Sequence, residues 1–305
     1  MDRRKFLQIS GIFSTYAISG SLQSMLHASK ASFNRSYLSK DPNRILDMHS
    51  SLHYKIISTK GNLMSDGNRV PGNADGMAAF SIDSKYTVIV RNHELGRTSG
   101  KLMGPFKNPK KSALSLGENH YDPTAFGGTT NILINDSTNE VVKEYLSLSG
   151  TMTNCAGGPS PWNTWLTCEE NTSINKKENI SHGYVFEVDP KKDFLQKPVP
   201  LKNMGRFSHE AVAFDRYGYA YLTEDRSDGL LYKYIPNQKN SLLEGDLYAL
   251  KIEHKDSRNW KKNNISVGEE FSVEWVKLED PDPDDDTLRK AGYEKGATIF
   301  ARGEG

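Results

Sequence analysis

Between Cys155 and Glu170 the chain places two thiols, Cys155 and Cys168, beside two adjacent carboxylates, Glu169 and Glu170. Gly157, Gly158 and Pro159 punctuate the segment, and Trp162, Trp165 and Leu166 alternate with small polar residues. That pattern predicts one tight, aromatic-rich hairpin with its reactive side chains at the strand ends. A thiolate among carboxylates is a donor set for a metal ion softer than calcium, such as iron or zinc. The same two cysteines could instead close a disulfide across the hairpin if the chain meets an oxidising compartment.

Comparable segments recur. Asp75 to Phe80 leads through Tyr86 to Glu94, His209 to Phe214 leads through Tyr219 to Asp225, and the chain closes on Ala297 to Gly305. Each reads as a short β run ending in an acid. Turns are expected at Asp83 to Lys85, Pro159 to Pro161 and Arg216 to Gly218. In register, Asp75, Cys155 and Glu210 share one position. Glu94, Glu169 or Glu170, Glu224 or Asp225, and Glu304 share another. Self-similar β segments distinguish a propeller from a sandwich, and in a radial fold equivalent strand ends converge on one mouth of the channel. Carboxylates confined there without cationic partners repel, so such a ring calls for bound cations, with oxygen-rich ligation suiting Ca²⁺. His93 and His209 read as residues that orient the neighbouring Glu or pack at a strand end. Arg302 and Glu304, two residues apart, would face the same side of a strand.

The elements that must position these groups are predicted to be all β: Gly, Tyr and Thr are frequent and long helical periods are few. Lys plus Arg (39) nearly balances Asp plus Glu (38), so neither a nucleic-acid surface nor a solvating acidic arm is indicated. Arg3 and Arg4 precede a weakly apolar run with a small-residue cleavage site near Ala28, the form of a twin-arginine export signal. The run, broken by Ser and Gly, is too polar and short for a stable membrane span. The expected organisation is a signal over 1–30 and a β-propeller domain over 31–305, reaching the periplasm or exterior already folded. The stretch from Asp280 to Asp286 is read as a solvated loop, with a short helix starting at Thr287 to Arg289.

At these residues the sequence resembles the PhoX-type alkaline phosphatases, metal-dependent periplasmic phosphomonoesterases built on a β-propeller. The resemblance is carried by the twin-arginine start, Met64-Ser65-Asp66-Gly67 followed by Asp75-Gly76-Met77, Arg91-Asn92-His93-Glu94, Phe126-Gly127-Gly128-Thr129-Thr130, the Cys155 to Glu170 hairpin, Gly205 to Ala211, and Arg302-Gly303-Glu304-Gly305. It implies a mixed site of iron (Fe) and calcium (Ca). Cys155 would be an iron ligand, Glu170, Glu210 and Glu304 would share the metals with Glu94 and Glu169, and Arg302 would grip the phosphate of the ester beside Glu304. Family members continue beyond the last motif, which implies a truncated, open propeller of about four or five blades with an unpaired edge. Two other functions fit the carboxylate ring less fully: a calcium-dependent propeller lactonase or related hydrolase, and a non-catalytic periplasmic propeller or inactive fragment.

Overall fold

The computed structural model describes residues 38–253, 255 and 266–304. Arg3, Arg4, the proposed cleavage site and Gly305 lie outside the described residues. The chain divides into two compact units, one holding residues up to Ile56 with Ser266–Glu269, the other Ile57–Ile265 with Glu270–Gly305. In the first, β1 (Leu38–Ser39) pairs with β2 (Met48–His49). The intervening turn is tied by Asp41, whose carboxylate accepts the Asn43, Ile45 and Leu46 amides and the Tyr54 hydroxyl.

The second unit is mostly β. Its first sheet is a meander of β3 (Ala74–Ser81), β4 (Tyr86–His93), β5 (Gly127–Asn135) and β6 (Glu140–Thr151). The second joins β7 (Asn154–Pro159), β8 (Trp165–Glu169) and β11 (Val185–Val188), with the small hairpin β9 (Ile174–Asn175) and β10 (Ile180–Ser181) as an excursion. The third is β12 (His209–Phe214), β13 (Ala220–Glu224), β14 (Leu231–Gln238), β15 (Ser241–Lys251) and β16 (Glu274–Leu278). Helices are short: α1 (Arg97–Met103) and α2 (Pro109–Leu116) follow β4, and α3 (Leu288–Glu294) follows β16. No described helix is long and apolar enough to cross a membrane.

Each expected hairpin turn is closed by a short polar side chain, the usual device for backbone reversal. Asp83 accepts the Lys85 and Tyr86 amides, Ser160 accepts the Thr164 amide, and Asp215 accepts the Tyr217 and Tyr219 amides. The middle sheet is covered on both faces. Trp165 and Phe186 pack with Phe80, Val88, Val90 and Leu148 of the first sheet, while Leu166, Cys168 and Val185 pack with Val212, Leu222 and Tyr232 of the third and with Phe207 just before it. Each large apolar side chain so buried contributes roughly 1.5–3 kcal/mol. The leading strands of the three sheets approach one another closely. A Cβ on Gly76 would lie 2.8 Å from Cα of Ala156, and one on Gly158 would collide with the Val212 carbonyl oxygen.

Two expectations change. The closing segment is not a strand: residues 297–304 run irregularly, with the Thr298, Phe300 and Arg302 amides donating to the Leu250, Gly229 and Arg226 carbonyls. The described residues therefore hold three sheets of the expected kind. Nor is the stretch from Asp280 to Asp286 simply solvated, because buried Arg206 donates to the Pro283 and Asp284 carbonyls, and Asp282 accepts the Tyr184 hydroxyl at 2.6 Å and Lys202 at 2.8 Å. The helix after it does begin at Leu288.

Candidate metal centre

The three leading hairpins carry the same irregularity in the same place. Ala74 pairs with His93 and Met77 with Arg91; Asn154 pairs with Glu169 and Gly157 with Thr167; His209 pairs with Glu224 and Val212 with Leu222. Three steps on one strand oppose two on the other, so each strand bulges, bending it and re-aiming a side chain. The bulged pairs are Asp75-Gly76, Cys155-Ala156 and Glu210-Ala211, which makes the shared register of Asp75, Cys155 and Glu210 a structural equivalence. Beyond each partner strand the pattern repeats. The Glu94, Glu170 and Asp225 amides donate to the carbonyls of Asn73, Thr153 and Ser208 at 2.8, 2.9 and 3.1 Å.

The equivalent ends meet. Cys155 Sγ and one carboxylate oxygen each of Glu170 and Glu210 lie within 4.8 Å of one another. Cys155 and Glu210 are buried and Glu170 is half-buried. Burial, reinforced by Asp225, Glu210 and Glu94, pushes the Glu170 carboxyl up to about 8. Burial also raises Glu210 to about 7, with Glu304, Asp225 and Asp75 adding to the rise and a hydrogen bond from Cys155 opposing it. Asp75 and Glu94 are likewise raised by burial, and Asp75 adds its charge at Glu94. The Cys155 thiol is pushed well above its ordinary value by burial and then by Cys168 and Glu210. Burial therefore favours the protonated forms of Cys155, Glu170 and Glu210. The donor set of one sulfur and several carboxylate oxygens fits the expected metals, since a bound cation would replace those protons.

Glu169 does not join the cluster. It is fully buried, and its carboxylate accepts the Met152, Gly183 and Tyr184 amides at 2.8, 2.9 and 3.3 Å and meets His182 Nδ1 at 2.7 Å. Neighbours on a strand face opposite ways, so of the pair only Glu170 turns toward Cys155. Glu224 is inward for the same reason, leaving Asp225 in the position equivalent to Glu170. The histidines are packing groups. His93 is bonded to the Gly72 carbonyl and Thr130, His209 donates to the Gly205 carbonyl and stacks on Phe207, and burial lowers both to about 3. Cys155 and Cys168 are free thiols, so the hairpin carries no disulfide. Cys155 instead donates to the His209 carbonyl at 3.3 Å, and Asn92 donates to the Cys155 and Ala156 carbonyls at 2.9 and 2.7 Å.

Arg302 comes from the closing segment to Asp225, whose carboxylate bears on both Glu170 and Glu210. It sits at φ 56°, in a turn rather than a strand, so the two-residue strand spacing does not relate it to Glu304. Its Nη1 is 3.0 Å from Asp225 Oδ1 and its Nη2 3.7 Å from Glu304 Oε1, with 61% of the side chain exposed. One edge of the guanidinium is held close by Asp225, and the other carries only the looser contact with Glu304.

The sequence matches the family model of alkaline phosphatase PhoX over residues 33–305. The chain belongs to the PhoX family. Among solved structures it is similar to Pseudomonas fluorescens PhoX in complex with vanadate, a transition state analogue, at 18% identity and a TM-score of 0.54. That alignment covers 82% of this chain and 61% of the other, so this chain spans about three fifths of that PhoX protein. No curated protein matches the sequence. The fold likeness agrees with the antiparallel meander sheets. Of the two residues that the sequence offers for this register in the third sheet, Glu224 or Asp225, it is Asp225 that matches Glu170; Asp122 and His182 are the polar residues here that the sequence does not single out, since nothing in their spacing signals that they meet.

Proposed function

We propose that this protein is a metal-dependent phosphomonoesterase of the periplasm or cell exterior, exported through the twin-arginine machinery signalled by Arg3 and Arg4. The observation that carries the reading is the convergence of Cys155, Glu170 and Glu210 from two equivalent bulges and one strand end, in a chain of the PhoX family. In this reading Cys155, Glu170 and Glu210 hold iron, Glu94 and Glu304 with Asp75 and Asp225 supply oxygen donors for calcium, and the sheets form part of a β-propeller. When bound, the ions supply Lewis-acid charge toward the phosphoryl oxygens.

The chain's own contribution is positional. Asp225 holds Arg302 by Nη1, leaving Nη2 to bond a phosphoryl oxygen in place of its loose contact with Glu304. The guanidinium stays charged at alkaline pH and its fork can take two oxygens. The surrounding carboxylates would repel a phosphate dianion, so phosphate binding should require the cations. The experiment is metal analysis of the purified chain with phosphate titration and a phosphomonoester assay, on the parent and Arg302→Ala. Iron and calcium retention in both, with phosphate affinity reduced by about 2–4 kcal/mol in Arg302→Ala alone, supports the reading. Activity surviving chelation of both ions, or unchanged phosphate affinity in the variant, overturns it. A calcium-only hydrolase has no use for the thiol, so iron bound in proportion to Cys155 separates that alternative.

A further inference from the structure

Thr153, in the turn between β6 and β7, sits at φ 54°, a left-handed conformation that β-branched residues rarely enter. Its carbonyl accepts the Glu170 amide at 2.9 Å, and it stands two residues before Cys155. The matching residue of the first sheet is Asn73, also left-handed at φ 47°, whose carbonyl accepts the Glu94 amide and whose side chain donates to the Glu94 carbonyl at 3.0 Å. Asparagine tolerates this region through local hydrogen bonding. Threonine does not, so its conformation must be imposed by its surroundings.

The surroundings are built for it. Glu169 accepts the amide of Met152, immediately before Thr153, while its other oxygen ties down Gly183 and Tyr184. The Thr153 amide donates to the Leu95 carbonyl at 3.1 Å. Behind Glu169, His182 bridges by Nδ1 to Glu169 at 2.7 Å and by Nε2 to Asp122 at 3.0 Å, all three side chains being inaccessible to solvent. Asp122 is fixed by Arg97, the Thr124 amide and hydroxyl, and Asn175.

We propose that Glu169, His182 and Asp122 are positioning residues that clamp Thr153 in its left-handed turn and thereby set Cys155 and Glu170 at the spacing that binds the metal. This rests on the metal-site reading above. Groups that orient ligands without touching the ion typically change metal affinity 10–100-fold when altered, and a clamp acting through one strained residue makes a narrower claim: its loss should be repaired at that residue.

The test titrates iron and calcium separately into the chelator-stripped full chain, parent and variants, with folding followed by near-ultraviolet circular dichroism and each titration run well below that variant's melting temperature. Glu169→Gln, which turns an amide NH₂ toward backbone N–H donors, should weaken iron binding about 10–100-fold, and His182→Gln should weaken it less. Adding Thr153→Asn to Glu169→Gln should restore most of the affinity, because asparagine adopts the turn without the clamp. Folded Glu169→Gln and His182→Gln proteins that bind iron as tightly as the parent overturn the clamp, as does a loss that Thr153→Asn leaves untouched. Should Glu169→Gln not fold, His182→Gln and its Thr153→Asn double variant carry the same two outcomes. A parent that binds neither ion overturns the metal-site reading itself, and the clamp with it.

Discussion

At the end of β8, Glu169 is bonded by three backbone amides and His182. At the end of β13, in the same register, Glu224 receives only the Leu230 amide and the Tyr232 hydroxyl, both on Oε2. Its Oε1 has no hydrogen-bond donor, and the nearest cation, Arg289, is 3.8 Å away. Both carboxyls are fully buried. Burial lifts Glu224 to about 7 against the pull of Tyr232, Leu230 and Arg289. Beside Glu169, burial would lower His182, yet Glu169 and Asp122 raise it to about 9. One backbone slot thus houses an ion pair in one sheet and a carboxyl poised to be neutral in another. The bulge and strand end fix where a ligand-bearing residue emerges, while the charge state of the buried anchor behind it is free to differ.

The strongest way to break this comparison is to remove what both ends present. Cys155→Ala and Glu210→Ala, which occupy equivalent bulges, should each abolish iron retention through desalting, measured by elemental analysis. Retention equal to the parent's in either variant would mean that the bulges do not act as one site. The anchors come next. Glu169→Gln leaves a charged His182 with one partner and should cost about 3–5 kcal/mol, whereas Glu224→Gln keeps a neutral group of the same shape and should cost about 1–3 kcal/mol. Urea unfolding of the metal-free proteins compares them.

The two anchors should also separate along the pH axis. His182 has a folded value of about 9 against an ordinary 6.5, so its contribution is complete below 6.5 and is lost as pH rises through 9, a change on the order of 3 kcal/mol. Glu224 has a folded value of about 7 against 4.5, so the folded state holds that proton more tightly and stability falls between 4.5 and 7. His182→Gln should reduce the pH dependence of the upper window only and Glu224→Gln that of the lower one only, with Glu170 and Glu210 supplying the remainder in both variants. The smallest effect is expected at Arg302, whose exposed ion pair with Asp225 should change unfolding stability by less than about 1 kcal/mol on mutation to Ala, despite its expected weight in phosphate binding.

The register of Asp75, Cys155 and Glu210 was legible in the sequence because repeated local patterns fold into repeated local shapes, and the three hairpin turns were legible from their Asp, Ser, Pro and Gly residues. The choice between Glu169 and Glu170 was not, since it depends on how β8 pairs with β7, whose bulge at Cys155-Ala156 shifts the pairing by one residue. Arg302 was misplaced on a strand because the edge its segment follows is supplied by Glu224 to Gly229, far away in sequence. The Glu169, His182 and Asp122 network left no signal at all: Asp122 and His182 are separated by 60 positions and brought together by the sheet. The resemblance to the PhoX family, in contrast, was carried by short contiguous motifs, which survive reading one residue at a time.

The missing side chains at Gly76 and Gly158 bear on the spacing of the ligands. At these two positions the leading strands meet with no side chain between them, since a Cβ at Gly76 would press on Ala156 and one at Gly158 on the Val212 carbonyl. Neighbouring sheets then behave like leaves of a book bound at the spine: a methyl group inserted at Gly158 would splay the binding at the edge where Cys155 faces Glu210, while leaves free at their outer margins could still fan without changing that distance. Sequence drift in the outer strands is therefore mechanically insulated from the ligand spacing.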